Sequence, residues 1–365
     1  MKQIITIVFI CLSITTSVNA QDNSNIYSEQ IEAFRQCFEN KNSETLAAHL
    51  SSDFILPTVP KEQTERALNQ LFTQLPLTSL SIEERTKGKA SIAYNFQGLG
   101  ERRSAIHFDE NGKITQVELF DNLIKETAER RNAKPMPDDL SKTYQAEKVS
   151  FTTSDNRTVV GNLYDIDSEK PIILLLHQLR NNKYEYADIA PKLNHMGFNV
   201  LAIDLTGGAA FADHPNETVE KGTPISFSDR EVLLARAEQE IVAAIDYLHK
   251  VYSSTIIIWG SSYTASMAIA VASTNEKVKG AISFSGLESR LSEILPKLNK
   301  PVFMTSSKDE ANRVAELIGD IEDKKDLVHF IPKGDGRHGS SALWNGQADA
   351  EEYWIAIESF LSKIK

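Results

Sequence analysis

The sequence predicts an α/β protein, in which a mostly parallel sheet covered by helices is preceded by a small α+β unit. Three observations carry that expectation. In the second half, short continuous apolar runs alternate with helical stretches, as in sheets whose strands are buried on both faces. In the first half, helical spacing comes first and alternating strand segments follow, the order of an α+β unit. The chain has 365 residues, and at about 150 residues per domain this favours two domains over one.

Composition narrows the function classes. With 41% hydrophobic content and a net charge of -11, there is enough apolar material for real cores, and wholesale disorder is excluded. The acidic balance argues against nucleic acid or an anionic membrane as partner, since both need a basic face.

Residues 1–20 read as a signal peptide. Lys2 supplies the positive start, residues 4–14 the apolar stretch, and Val18-Asn19-Ala20 a small-residue cleavage site before Gln21. That stretch is too short to span a bilayer, and no later segment reaches about 18 apolar residues. The expected location is therefore the periplasm or the exterior, without a membrane span. Cys11 follows Phe9-Ile10 rather than the small residue a lipidation site wants. After cleavage Cys37 is the remaining cysteine, so no internal disulfide is expected. Flanked by Gln36 and Phe38 on an expected helix, Cys37 reads as a buried, inert thiol.

Residues 21–125 form the small unit. Helical spacing covers 26–38 through Ile31, Phe34 and Phe38; Ser43 starts a second helix running to Leu50; and 64–75 is a third, with Ala67, Leu68, Leu71, Phe72 and Leu75 on one face. Strand alternation follows at 91–96, 104–108 and 115–120, with residues 109–113 as a hairpin turn. The polar stretch 126–143, which includes Arg130-Arg131-Asn132 and Pro135-Met136-Pro137, reads as an exposed linker.

Residues 144–365 form the larger domain. A leading hairpin at 148–151 and 158–164 flanks Ser154-Asp155-Asn156. The apolar runs are 172–176, 200–203, 256–259, 280–284, 302–304 and 328–331. Helical stretches fall at 186–196, 231–252, 263–272, 313–321 and 353–364.

The stretch 256–265 is a strand, a tight turn and a helix rich in small residues. Gly260-Ser261-Ser262-Tyr263-Thr264 sets Ser262 in a sharp turn at the strand's carboxyl end, which suits a nucleophile; Thr264 replaces the final glycine usual in such turns. Ser261 competes for that role, and simple helix capping by both serines is the bland alternative. His338, in the glycine-rich segment 333–340, directly follows the last apolar run. Its near-neutral intrinsic pKa lets it take and return a proton. His49, His107, His195, His249 and His329 fall in expected helices or strands, where packing or surface roles serve; His214 sits in a loop. No pair of histidines has metal-ligand spacing, so a metal site is not expected. A tetrahedral oxyanion needs two backbone donors. Tyr263 supplies one N–H, and Gln178 or Leu179, in the loop after 172–176, the other. His177 reads as a structural loop residue.

From about residue 145 onward the chain resembles α/β-hydrolases of the dienelactone-hydrolase-like or esterase group. The resemblance rests on Leu174-Leu175-Leu176-His177-Gln178, Leu201-Ala202-Ile203-Asp204, Trp259-Gly260-Ser261-Ser262-Tyr263 and Gly336-Arg337-His338-Gly339. It implies the chain order serine, acid, histidine, and so an acid on Asp309 or Glu310 after the run 302–304. With Pro301 opening that strand, as in similar hydrolases, a gap-free count favours Glu310. It also implies a serine hydrolase that cleaves a carboxylic ester or related acyl bond of a small molecule through an acyl-enzyme, without a cofactor. Gln178, where glycine is frequent, and Thr264 depart from the pattern. The N-terminal unit resembles the small cone-shaped α+β domains related to nuclear transport factor, which implies a binding or dimerisation role and with it a homo-oligomer. A non-catalytic binding protein on the same scaffold is the rival reading. The two departures favour it, and the intact serine–acid–histidine order opposes it.

Overall fold

The computed structural model describes residues 25–364 apart from 97–99, 221–228, 253 and 320–325; the signal-peptide segment and Cys11 lie outside the described residues. The chain divides into two units, residues 1–131 and 132–365.

In the first unit, α1 (Ser28–Asn40), α2 (Glu44–Ala47) and α3 (Thr64–Gln74) precede β1 (Leu77–Thr86), β2 (Lys89–Phe96), β3 (Gly100–Phe108), β4 (Ile114–Val117) and α4 (Glu118–Asn132). The strands pair antiparallel in the order β1-β2-β3-β4. Ile31, Phe34 and Phe38 recur at helical spacing on α1 and are buried. Phe34 meets Phe38, Phe72, Tyr94 and Phe120 edge-on or tilted, so aromatic packing holds helices and sheet together. Cys37 is fully buried, its thiol directed at Ala33 O at 3.2 Å, and burial pushes its pKa up.

Three expectations change here. The edge strand β1 was not foreseen, because Glu83-Glu84-Arg85 interrupt its apolar alternation and the strand is half-exposed. The strand expected over 115–120 ends at Val117, and Glu118 opens α4, which carries Leu119 and Phe120 into the core. Most of 134–143 is exposed, as expected, but the stretch 126–143 is partly helical rather than irregular. Helix α4 runs on to Asn132, and α5 (Asp139–Thr143) starts at Asp138, whose carboxylate accepts the Leu140 N–H at 2.9 Å. Between these helices, Met136 donates its N–H to Asp188 and accepts from the Asn345 side chain.

The second unit continues with β5 (Glu147–Thr152), β6 (Thr158–Tyr164), β7 (Ile172–Leu176), α6 (Ile189–His195), β8 (Asn199–Ile203), α7 (Glu217–Glu220), α8 (Arg230–Val251), β9 (Ile256–Ser261), α9 (Tyr263–Thr274), β10 (Val278–Phe284), α10 (Leu291–Ile294), β11 (Val302–Thr305), α11 (Ala311–Ile318), β12 (Leu327–Phe330) and α12 (Ala350–Leu361). Among the described residues the sheet has eight strands in the order β12-β11-β10-β9-β7-β8-β6-β5, with β7 to β12 parallel and the leading hairpin antiparallel. Alternate side chains serve opposite faces. Ile172, Leu174, Leu176, Ile256 and Ile258 pack against Ile241, Ile245 and Leu248 of α8 and Met267 of α9. Ile173, Leu175, Ile257 and Trp259 pack against Leu193 of α6 and Trp354 and Ile357 of α12. Double-sided burial is why these strands read as unbroken apolar runs.

From β7 the chain moves outward to β8, then crosses back to β9 on β7's other side. The carboxyl ends of β7 and β9 thus form a topological switch point, where open α/β sheets place ligands. A buried ion pair fixes the loops there. Lys183 Nζ lies 2.7 Å from Asp204 Oδ2, and Asp204 also accepts the N–H groups of Lys183 and Glu217, each at 2.8 Å. Both side chains are at most 1% exposed. Lys183→Ala would leave the Asp204 charge buried without its cation. The expected cost is about 3–5 kcal/mol in urea unfolding, and a loss below about 1 kcal/mol would contradict a structural role for the pair.

Candidate active site

Strand β9 ends at Ser261 and α9 begins at Tyr263, which leaves Ser262 alone in the turn with φ 59° and ψ -118°. A left-handed serine costs about 1–3 kcal/mol and persists only where its surroundings enforce it. Its N–H donates to Phe284 O at 2.7 Å. Gly260 makes the tight return possible, because a Cβ there would lie 2.1 Å from the Thr264 carbonyl oxygen. Thr264 is fully buried. Its hydroxyl donates to Leu176 O at 2.8 Å and accepts the Ser261 N–H at 2.9 Å. The departure from glycine therefore ties the ends of β7 and β9 beneath the turn. Ser261 is buried, and its Oγ accepts the Ser340 N–H at 2.9 Å.

Ser262 Oγ lies 2.7 Å from His338 Nε2, and His338 Nδ1 lies 2.6 Å from Glu310 Oε1. In the neutral ring, Nδ1–H donates to Glu310 and Nε2 accepts the serine hydroxyl. Of the two adjacent carboxylates, the structure brings Glu310 to the imidazole and leaves Asp309 exposed. The short helical turn Lys308–Glu310 separates them, and Lys308 anchors it by donating its N–H to Asp335 O and its Nζ to Lys333 O. His214 instead stacks on Tyr184, with ring centroids 3.6 Å apart.

Ser285 completes the cluster, and sequence reasoning missed it. It follows β10 with φ 61°, its hydroxyl donates to Glu310 Oε2 at 2.6 Å, and its Oγ accepts the Gly339 N–H at 2.9 Å. One hydroxyl thus fixes both the carboxylate and the histidine loop. Its place just past the carboxyl end of a run next to the turn strand was the signal available. Burial works against charge on both His338 and Glu310. The bond and charge they share outweigh it, so the imidazole pKa is raised and the carboxyl pKa lowered; Glu185 and Asp309 add to the first shift, Ser285 and Ser307 to the second.

The backbone donors can be counted. Tyr263 N–H opens α9 and has no intrahelical acceptor. In the loop after β7, Gln178 donates to Glu185 Oε2 at 2.8 Å, Arg180 to Gly207 O and Asn181 to Gln178 O. The Gln178 amide, a candidate on sequence, is therefore taken, and Leu179 N–H is the one without an acceptor among the described residues from 178 to 181. His177 is fully buried: its Nδ1–H donates to Gln178 O, its Nε2 accepts the Leu205 N–H, and burial lowers its pKa. Glu185 was also missed. Within Tyr184-Glu185-Tyr186 nothing in the sequence marks a buried carboxyl.

A serine turn between β9 and α9, on a sheet with this strand order, defines the second unit as an α/β-hydrolase-like fold. Residues 160–325 match the dienelactone hydrolase family, which supports a hydrolase of ester or related bonds. The matched stretch contains Leu179, Ser262, Tyr263 and Glu310, while His338 lies beyond it. Among solved structures, the chain is similar to an esterase of Pyrococcus furiosus, at 16% identity and a TM-score of 0.47 over 63% of this chain and 97% of that one. It is also similar to a dienelactone hydrolase from Anabaena variabilis, at 17% identity and a TM-score of 0.48 over 60% and 98%. No curated protein matches the chain in sequence.

The electrostatics can be tested by NMR titration. His338 should titrate above the ordinary histidine range, and Glu310→Gln should bring it down, since the neutral amide no longer stabilises the imidazolium. The wild-type shift adds folding stability that is full below the unfolded histidine pKa and lost as pH rises through the folded one. An unchanged His338 pKa in Glu310→Gln would contradict the pairing.

Proposed function

We propose that the protein is an exported serine hydrolase that cleaves a carboxylic ester, or a related acyl bond, of a small molecule through an acyl-enzyme. The observation that carries this reading is the unbroken line from Ser262 through His338 to Glu310, at 2.7 and 2.6 Å, starting from a serine in a left-handed turn.

Ser262 Oγ attacks the acyl carbon while His338 Nε2 takes its proton. The oxygen of the tetrahedral intermediate receives the N–H groups of Tyr263 and Leu179, whose strength as donors grows with the charge that develops there. His338 then passes its proton to the leaving alcohol. Water attacks the acyl-enzyme by the same route, and the carboxylate product leaves. Glu310 holds the ring in the Nδ1–H tautomer and stabilises its charged form, and Ser285 holds Glu310. No step calls for a cofactor. A purely binding scaffold has no use for a strained serine aligned with an imidazole, which weighs against the rival reading. The departure at Thr264, which favoured that reading, has a structural explanation.

Residues 2–20 support export, and the mature chain should begin at Gln21 by N-terminal sequencing. For the first unit, helices followed by four antiparallel strands support the nuclear-transport-factor-like reading and a binding or dimerising role.

Labelling with a fluorophosphonate and turnover of a small ester test the assignment. Ser262→Ala should abolish labelling and cost on the order of 10⁴ to 10⁶ in rate, whereas Ser261→Ala keeps much of both. Glu310→Gln should lose about 10²- to 10⁴-fold and Asp309→Asn little. Wild-type labelling of Ser262→Ala would refute the nucleophile. The free enzyme needs neutral His338, so kcat/KM should rise with pH through an imidazole pKa above the ordinary value. A flat acid limb would contradict that role.

A further inference from the structure

Beneath the loop that carries Leu179 lies a carboxyl group the mechanism above does not use. Glu185 sits in the turn Lys183–Tyr186 and is fully buried. Its Oε2 accepts the Gln178 N–H at 2.8 Å and the Asn181 side-chain amide at 3.0 Å. Gln178 O is occupied in turn by the Asn181 N–H and the His177 ring. Trp344 fixes Glu185 itself, donating its indole N–H to the Glu185 carbonyl at 2.8 Å. Burying a carboxyl this completely is costly unless it is hydrogen-bonded or paired. Its partners here are two donors of the oxyanion loop. Burial pushes its pKa up to about 7, against the opposing pull of Ser261, Gln178, Asn181 and His338. The titratable groups whose charge acts on it or is acted on by it are His338, Tyr186 and Tyr263; those whose charge acts on His338 are Glu310, Glu185 and Asp309.

We propose that Glu185 is a positioning residue of the hydrolytic site: it draws the Gln178 N–H away from the reacting oxygen, leaves Leu179 as the donor, and in its ionised form favours the His338 imidazolium. This rests on the serine-hydrolase reading. Donor placement matters most when the oxyanion forms, so its loss should appear in kcat rather than KM. Gln at this position keeps an oxygen to accept the Gln178 N–H but removes the charge. Met fills similar volume and removes both.

The experiment compares the full-length wild type, Glu185→Gln and Glu185→Met, using p-nitrophenyl acetate for rates and a fluorophosphonate for labelling. Glu185→Met should lose on the order of 10- to 100-fold in kcat, less than deletion of a whole donor, with KM changed less than about threefold. Glu185→Gln should keep most of the maximal rate, while the acid limb of kcat/KM moves to lower pH, because Glu185 and His338 titrate as a coupled pair and the ionised carboxylate no longer favours the imidazolium. That shift decides the matter even if Glu185→Met does not fold. An unmoved limb in Glu185→Gln, or a loss confined to KM in folded Glu185→Met, overturns the proposal while the hydrolase reading stands. A wild type that neither turns over nor labels at Ser262 overturns both.

Discussion

A serine held at φ 59° between β9 and α9 is the constraint on which the architecture of the second unit converges. The turn closes because residue 260 has no side chain to collide with the Thr264 carbonyl. It stays closed because the Thr264 hydroxyl bridges Leu176 and Ser261, and because Ser262 N–H is bound to Phe284 O. These bonds come from three neighbouring parallel strands, β7, β9 and β10. The strain at one residue is thus offset by a ladder that cannot relax without separating strands buried on both faces.

The loops above those strand ends are held by buried polar groups as well as by apolar packing. Asp204 binds Lys183, and Glu240 accepts the Thr206 N–H and hydroxyl as well as the Arg157 guanidinium. Fixing Thr206 fixes Gly207, where a Cβ would lie 2.5 Å from the Tyr263 hydroxyl. The residue that offers its N–H after the serine is therefore wedged from the side by the loop after β8. On the other flank, Ser285 joins Glu310 to Gly339. Such networks are favourable when each member is satisfied, and they reward geometry more than gross stability. That suits a site whose chemistry depends on alignments at the scale of a hydrogen bond.

Much of this was legible in the sequence, for physical reasons. The strands around β7 and β9 announce themselves because double burial leaves no polar residues in 172–176 or 256–259. Ser262 and His338 were candidates because glycines and strand ends flank them, and Glu310 because the resemblance implies an acid after the run 302–304. The edge strand β1 was hidden by its exposed charges, and α4 by the polar face it turns to solvent. Choosing between Gln178 and Leu179 required knowing where Glu185 lies, and Glu185 carries no local signature. Ser285 looked like any serine after a strand. These are long-range partnerships, between residues seven to twenty-five apart in sequence, and pattern reading along the chain has no term for them.

The most direct measurement is mass spectrometry of the protein quenched during turnover of a slowly deacylating aryl ester. The expected result is a single acyl mass on the peptide containing Ser262. It should appear with a burst of the phenol and disappear as substrate is exhausted, as an acyl-enzyme requires. Turnover with no acyl mass at Ser262, or with the mass on a different residue, would contradict the covalent mechanism and the role given to the turn.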